Sequence, residues 1–223
     1  MSKKLKGCIR IECAAEELMN MIELRSVNCA RGISVILSGD HTVILIRDGR
    51  VENIPQCGMI YPFSKNVEKK EPLFGKRVCQ DVKIVCLATN SVHTIPWGTM
   101  GGVVRDTKSG KSYRLGASGR LYFSIDDSNK FFRKLVGMFR GKNQNEQLKD
   151  YLRDMVVNAF PGFWLQADVS PAGVAQLPLE DMLGLSSRFC DQLQQQIAEF
   201  GLRVCPQSKS GLLAHMVSEE LGA

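Results

Sequence analysis

Residues 112–137, SYRLGASGRLYFSIDDSNKFFRKLVG, predict a long strand that leads directly into an amphipathic helix. Aromatic and aliphatic side chains dominate positions 113–125, and only the small residues 116–119 interrupt them, which indicates a bulge or bend in the strand. Asp126, Asp127 and Ser128 then offer N-cap oxygens to the helix. The apolar residues of that helix share one face and the basic residues share the other. The apolar face consists of Phe131, Phe132, Leu135 and Val136.

A basic surface follows from this helix and from the short linker after it. Its residues, which meet no acidic neighbour in the sequence, are Lys130, Arg133, Lys134, Arg140 and Lys142. Two interpretations stay open: an ordinary solvated helix face, or a surface attracted to anionic lipid headgroups at about 1 kcal/mol per basic side chain. Nucleic-acid binding is disfavoured, because no aromatic side chains alternate with the basic ones to stack on bases.

Short β-rich runs separated by turn residues precede the opening stretch. The runs 33–37 and 42–46, joined by Ser-Gly-Asp, predict a hairpin. Residues 14–24 predict a short helix, and residues 65–77 predict an exposed, charged loop. Further predicted strands cover residues 51–54, 78–88 and 91–97.

Downstream of the opening stretch the apolar period changes to three and four residues, which predicts helices. One helix should cover about 145–160 and end at Pro161-Gly162, and another should cover 179–200 and stop at Gly201. The side chains expected to be mostly buried are Phe131, Leu135, Leu152, Met155, Val156, Phe189, Leu193 and Ile197. Strands followed by helices predict an α+β fold, with a mostly antiparallel sheet in the N-terminal half and amphipathic helices in the C-terminal half.

The composition is that of a globular protein: 223 residues, 44% hydrophobic and 23% charged, with a net charge of +6. Eight cysteines and three histidines are present, but no CxxC pair, so the spacing predicts reduced core cysteines rather than structural zinc. The basic start is not followed by the apolar core of a secretory signal. No window approaches the roughly 18 apolar residues of a membrane span.

Familiar catalytic and nucleotide-binding patterns are not met. Gly110-Lys111-Ser112 is not a phosphate loop, because Arg105 stands where that loop needs glycine. Cys86 and His93 are considered as a nucleophile pair, but their apolar context favours core neighbours. Neither a G-x-S-x-G nor a G-x-G-x-x-G pattern occurs. The sequence therefore predicts no catalytic, cofactor-binding or metal-binding residues.

Several motifs, in this order, resemble the stomatin/prohibitin/flotillin (SPFH, or band 7) superfamily. They are Trp97-Gly98, Val104-Arg105-Asp106, Arg114, Gly116, Gly119, Phe123-Ser124-Ile125, Phe131, Leu135-Val136-Gly137, Leu152-Arg153-Asp154, Val156 and Leu202-Arg203-Val204. The resemblance is strongest to the soluble bacterial branch often labelled virion-core-protein-like. It implies an N-terminal extension at 1–30, an SPFH/band 7-like domain at 31–205, and a tail or the start of a helix at 206–223. The coiled coil or zinc ribbon that such proteins usually carry is not seen after Cys205.

The resemblance also implies a function. Proteins of this kind are non-enzymatic scaffolds, so we expect homo-oligomers that organise other proteins at or near a membrane, with no cofactor, nucleic acid or small-molecule substrate. The expected location is cytoplasmic, peripheral to the inner face of the membrane. Two alternatives stay open: an enzyme with a site assembled from scattered residues, and a regulatory subunit of a membrane protease. A pocket of polar groups with strongly shifted pKa values would favour the enzyme.

Overall fold

The computed structural model describes residues 8–14, 16–23, 34–37, 41–47, 50–53, 59–60, 82–100, 102–106, 108–139 and 143–222. The chain divides into two compact units, Met1–Ser91 (unit 1) and Val92–Ala223 (unit 2). The charged segment 65–77, predicted to be a loop, lies outside the described residues, as do Arg140 and Lys142. The predicted domain boundaries at residues 31 and 205 stay a prediction.

Within the residues that the structure describes, unit 1 contains two sheets. Its described strands are β1 (Cys8–Ile11), β2 (Met19–Glu23), β3 (Ser34–Leu37), β4 (Thr42–Arg47), β5 (Arg50–Asn53), β6 (Met59–Ile60) and β7 (Val82–Leu87). One sheet has the order β1-β3-β6 and the other the order β2-β7-β4-β5. Strands β1 and β3 pair in parallel, and the remaining pairs among these seven strands are antiparallel.

The second sheet of unit 1 is buried on both faces at its centre. Residues 43–45 of β4 and 84–87 of β7 are consecutively buried, so neither strand has a solvent-facing side there. Such strands read as continuous apolar runs rather than as alternating patterns. The two runs, VIL and IVCL, show this pattern in the sequence.

Two predictions for unit 1 are wrong in their pairing or type. The predicted strands β3 and β4 both exist, but they do not form a hairpin: β3 pairs with β1 and β6, and β4 with β5 and β7. The helix predicted at 14–24 is instead strand β2, which pairs with β7 from Met19↔Leu87 to Glu23↔Lys83. Both β2 and β4 pair with β7, which lies far along the chain. That long-range pairing decides the structure of these runs, because short apolar runs suit more than one local structure.

The sheet of unit 2 is organised around one long strand. Its strands are β8 (His93–Thr99), β9 (Val103–Arg105), β10 (Ser112–Ile125), β11 (Leu202–Val204) and β12 (His215–Glu220). All pair with β10 in the antiparallel sense, β8 and β9 along one edge and β11 and β12 along the other. A polar turn precedes β10, closed by the Gly110 N–H donating to the Asp106 carbonyl at 2.9 Å.

Helices cover this sheet and complete the core of unit 2. They are α1 (Ser128–Lys134), α2 (Gln144–Gln166), α3 (Leu179–Ile197) and the short α4 (Ser208–Gly211), with 3₁₀ turns at Val136–Met138, Pro171–Gln176 and Ala198–Phe200. The predicted α+β class, with strands in the N-terminal half and helices in the C-terminal half, is confirmed. Every side chain expected to be buried is so except Met155, which is only half-buried.

The predicted end of α2 at Pro161-Gly162 is wrong. The helix runs through Pro161 to Gln166, although proline removes one backbone hydrogen bond. Pro161 and Gly162 are exposed, whereas Phe163 and Trp164 beyond them are buried. Burial of those two aromatic side chains stabilises the continuation against the loss of one hydrogen bond.

The C-terminal segment also differs from its prediction as a tail or the start of a helix. After α4 it forms β12, which pairs with β10 from Ser118↔His215 to Tyr113↔Glu220. Met216 faces the core and Val217 faces outward, an alternation that the helical spacing of the nearby apolar residues obscures. Pairing along the exposed edge of β10 satisfies backbone groups that a free tail would leave to water.

The small residues 116–119 mark a close backbone approach. Of the predicted bulge or bend, the bulge is wrong, because β10 pairs with β8 and β12 through these residues in an unbroken register. The Leu212 carbonyl crosses the sheet directly over Gly119, where an added Cβ would lie 1.9 Å from its oxygen. The same oxygen accepts a hydrogen bond from Trp97 Nε1 at 2.8 Å. On the edge of β10 between β11 and β12, Ser208 takes the place of a neighbouring strand. Its Oγ accepts a hydrogen bond from the Tyr122 N–H and donates one to the Tyr122 carbonyl.

Candidate functional site

The predicted basic surface lies on α1, and local rules explain its form. Asp127 caps the helix, since its Oδ1 accepts the Lys130 N–H at 2.9 Å, and this confirms the predicted N-cap. Phe131 and Phe132 are buried in unit 2. Because residues on opposite helix faces diverge, burying these rings directs the basic side chains outward.

The structure places three of the five predicted surface residues. Lys130, Arg133 and Lys134 are exposed, and the last two lie in the final turn of α1, where the helix dipole favours cations. Lys130 Nζ donates to the Ala198 carbonyl at 3.4 Å. Among the residues that the structure covers, neither Arg133 nor Lys134 forms an ion pair. These two are therefore the basic side chains most available to an anionic surface.

A second group of chemistry-bearing side chains lies in unit 1. Cys13, His41 and Cys86 have sulfur and ring-nitrogen atoms that all lie within 4.8 Å of one another. The Cys13 N–H donates to His41 Nε2 at 3.3 Å, and Cys13 Sγ donates to the Cys86 carbonyl at 3.4 Å. Cys86 is buried, whereas Cys13 and His41 are half-buried, so one side of the group meets solvent.

The two thiols of this group influence each other's acidity. The hydrogen bond between the two side chains raises the pKa of the Cys13 thiol, and burial raises it further. The same hydrogen bond lowers the pKa of the Cys86 thiol, because a donor stabilises its thiolate. By contrast, burial in unit 2 raises the pKa of Cys190 to about 12, as expected of an inert core cysteine.

Sequence spacing did not reveal this group. Cys13 and His41 are 28 residues apart, and Cys13 and Cys86 are 73 residues apart, so no short ligand motif exists. The pair that was considered, Cys86 and His93, belongs to two different units. The His93 ring instead contacts the Phe123 ring in a tilted arrangement, with ring centroids 5.6 Å apart. Only the pairing register of β4 with β7 would have revealed that His41 and Cys86 lie close together.

A third feature is a polar cleft in unit 2 built around the buried carboxylate of Asp106. Its Oδ1 accepts the Lys108 N–H at 3.0 Å, and its Oδ2 accepts the hydroxyls of Ser109 at 2.7 Å and Ser170 at 3.3 Å. These hydrogen bonds, that of Ser109 first, lower the pKa of Asp106 below its usual 3.8. An ionised carboxylate with three donors is a weak base, so the cleft favours a structural role over catalysis.

Replacing Asp106 with asparagine should destabilise the protein at neutral pH, and the deficit should shrink in acid. A lowered pKa in the folded state contributes stability that is present above the unfolded value near 3.8 and is lost as pH falls through the folded value. Denaturant midpoints of wild type and Asp106→Asn, measured at neutral pH and below 3.8, test this expectation.

The control is Asp168→Asn, the same chemical change at an exposed residue of the same cleft. Asp168 has a φ of 53°, a conformation that asparagine also tolerates, so its substitution should matter little at either pH. A deficit of Asp106→Asn that is equal at both pH values would contradict the role of the charge.

Comparison with known proteins gives one assignment. None of the described helices combines the length and the apolar character that a membrane span requires. A search of curated proteins finds no match. The model of the SPFH domain-Band 7 family matches residues 33–209, which is most of the chain and includes the β10–α1 stretch, Asp106 and α3. The chain belongs to the SPFH domain-Band 7 family.

Proposed function

We propose that this protein is a non-enzymatic scaffold that assembles with itself and organises other proteins at or near a membrane surface, on the cytoplasmic side. The observation that carries the proposal is the family match over residues 33–209, since SPFH domains in general belong to membrane-associated scaffold proteins. The hydrogen-bonded state of Asp106 adds support, because a carboxylate that accepts three hydrogen bonds is a weak base.

The self-assembly part predicts a solution mass above that of the 24.8 kDa chain. We expect native mass spectrometry and light scattering of the purified protein to give a discrete multiple of this mass. A monomer at every concentration tested would contradict self-assembly.

The membrane part rests on the exposed charges of α1. Leu135, Phe131 and Phe132 are buried beneath them, so these apolar side chains are not available to insert into lipid. Attraction of α1 itself to the membrane must then be electrostatic, with each basic side chain contributing about 1 kcal/mol near an anionic surface. Arg133 and Lys134 supply this attraction together with Lys130, and Arg140 and Lys142 follow in the sequence.

We expect the wild-type protein to co-sediment with vesicles that contain anionic lipid and not with neutral vesicles. Binding should weaken as salt rises, since the Debye length falls from about 10 Å at 0.1 M to about 3 Å at 1 M. The double variant Arg133→Glu/Lys134→Glu should lose most of the binding. Lys130 is left unchanged because its ammonium group also donates to a backbone carbonyl.

The matched control reverses two exposed basic charges elsewhere in unit 2, Arg120→Glu/Lys209→Glu. Both double variants carry the same net charge, so only the position of the charges differs. Loss in the α1 variant alone supports a membrane surface on this helix. Equal binding by all three proteins, or binding that ignores lipid charge, would leave the α1 face as ordinary solvated surface.

A further inference from the structure

We propose that Cys13, His41 and Cys86 form a binding site in unit 1 for a thiophilic divalent cation of the zinc class. Thiolates and imidazole are the ligand types that zinc prefers, at about 2.3 Å for sulfur and about 2.0–2.1 Å for nitrogen. In a tetrahedral site two such ligand atoms lie roughly 3.6–3.8 Å apart. The three side chains, whose ligand atoms all lie within 4.8 Å, reach that geometry by small side-chain movements.

The strand register explains why these ligands meet. Cys86 lies on β7 opposite Val43 of β4, and the two residues share a face of the sheet. His41 precedes Val43 by two residues, and side chains two apart in an extended chain point to the same face. The segment between β1 and β2 then brings Cys13 alongside, where its N–H donates to His41 Nε2 and its thiol donates to the Cys86 carbonyl.

The surroundings of the three side chains suit a bound cation in both rigidity and charge. Cys86 is fixed in the doubly buried centre of the sheet, whereas Cys13 and His41 are half-buried and leave a path for an ion. Glu12 and Glu17 are close enough for their charges to act on the two thiols. Glu17 is already engaged, since its Oε2 accepts the Ala14 N–H at 2.9 Å. Three protein ligands then leave the fourth position to water.

The proton balance is simple. The cation binds two thiolates and one neutral imidazole, and the protons of the two sulfhydryls pass to the buffer. The Cys13 thiol then no longer donates to the Cys86 carbonyl, and coordination through His41 Nε2 releases the Cys13 N–H, because one lone pair cannot serve both. No electron is transferred, and no sulfur–sulfur bond is formed. Affinity should therefore rise with pH, as it does where protons and a metal compete for the same ligands. Cobalt(II) is a suitable probe because it replaces zinc in thiolate sites and absorbs visible light there.

The experiment titrates the reduced, metal-free full chain with Co²⁺ and follows thiolate-to-cobalt charge transfer and the visible bands. We expect saturation at one ion per chain and displacement of the cobalt spectrum by Zn²⁺. Cys13→Ser and His41→Gln should each weaken binding at least about tenfold, since even residues that only orient metal ligands cost about 10–100-fold. In His41→Gln the amide is a poor zinc ligand, but its oxygen can still accept the Cys13 N–H, so the local hydrogen bond is kept.

Cys190→Ala is the matched control, because it removes a buried thiol from unit 2 and should leave the cobalt spectrum unchanged. Circular dichroism of each variant without metal separates loss of ligand from loss of fold. A titration without charge-transfer bands overturns the proposal, and so does a spectrum that Cys13→Ser and His41→Gln leave intact. A Cys13–Cys86 disulfide in the freshly isolated protein, found by peptide mass after alkylation, would also overturn it in favour of a redox pair.

Discussion

Replacing Gly119 with alanine is expected to lower the free energy of unfolding of unit 2 by about 3 kcal/mol, the upper end of the usual cost of overpacking. The added Cβ would lie 1.9 Å from the Leu212 carbonyl oxygen and 2.5 Å from the carbonyl carbon. These are backbone atoms, so the clash cannot be relieved by rotating a side chain. The carbonyl would have to move, and the hydrogen bond from Trp97 Nε1 would be lost with it.

The control is Gly98→Ala, on the adjacent strand β8. A Cβ at Gly98 meets its nearest atom at 3.4 Å, an ordinary van der Waals contact. Neither glycine has a positive φ, so alanine fits both backbones, and the two substitutions differ in the contacts they create. Because no clash arises at Gly98, alanine there should leave the free energy of unfolding unchanged or raise it slightly. Alanine restricts the unfolded chain more than glycine does.

Denaturant unfolding followed by tryptophan fluorescence suits this comparison, because both tryptophans of the chain, Trp97 and Trp164, lie in unit 2. We expect a lower midpoint for Gly119→Ala and a near-wild-type midpoint for Gly98→Ala. A Gly119→Ala variant as stable as the Gly98→Ala variant would mean that the segment around Leu212 does not cross the sheet at this point.

Gly119 also shows what the sequence could and could not predict. The cluster of small residues in a strand correctly marked an unusual position, but small residues accompany both bulges and close backbone approaches. The distinction depends on Leu212, which lies far along the chain, in the segment just before β12. The role of the Trp97-Gly98 motif also depends on a distant residue. The Trp97 indole N–H donates a hydrogen bond to the carbonyl of Leu212, which is 115 residues further along the chain.

Local features were predicted best. Three such features follow from neighbouring residues alone: the Asp127 cap, the buried face of α1, and the stop at Gly201, which α3 reaches through the 3₁₀ turn Ala198–Phe200. Gly201 has a φ of 75°, and a Cβ there would lie 2.3 Å from the Asp127 carbonyl, so glycine is required twice over. Strand partners were predicted poorly. Strand β4 pairs with β7, which lies far along the chain, and neither strand's own sequence specifies its partner.

The candidate sites divide along the same line. The basic face of α1 could be predicted from the helical spacing of neighbouring residues. Lys130, Arg133 and Lys134 are exposed in the structure, as expected. The Cys13–His41–Cys86 group depends on the register of β7 with β4 and on the path of the chain after β1. Ligand spacing in the sequence therefore predicted no metal site, and only the assembled sheet brings the three side chains together.

Phe189→Ala should cost about 3–5 kcal/mol of stability, the usual cost of removing a fully buried phenylalanine. Phe189 is completely buried on α3, and its ring stacks on Phe163 at 4.8 Å between centroids. It also makes edge contacts with Trp97 at 5.9 Å and Phe160 at 6.0 Å. Its removal therefore loosens the packing of α3 against both α2 and the sheet of unit 2.

Leu179→Ala, on the same helix but with its side chain 74% exposed, is the control and should change stability little. Alanine is the best helix former, so neither substitution weakens α3 itself, and any large difference between them measures packing. Because Phe189 contacts Trp97, its loss should also alter tryptophan fluorescence in the folded state. Similar midpoints for the two variants would show that α3 does not pack on β8 and α2 through this ring, and the aromatic cluster would then not be the centre of the unit 2 core.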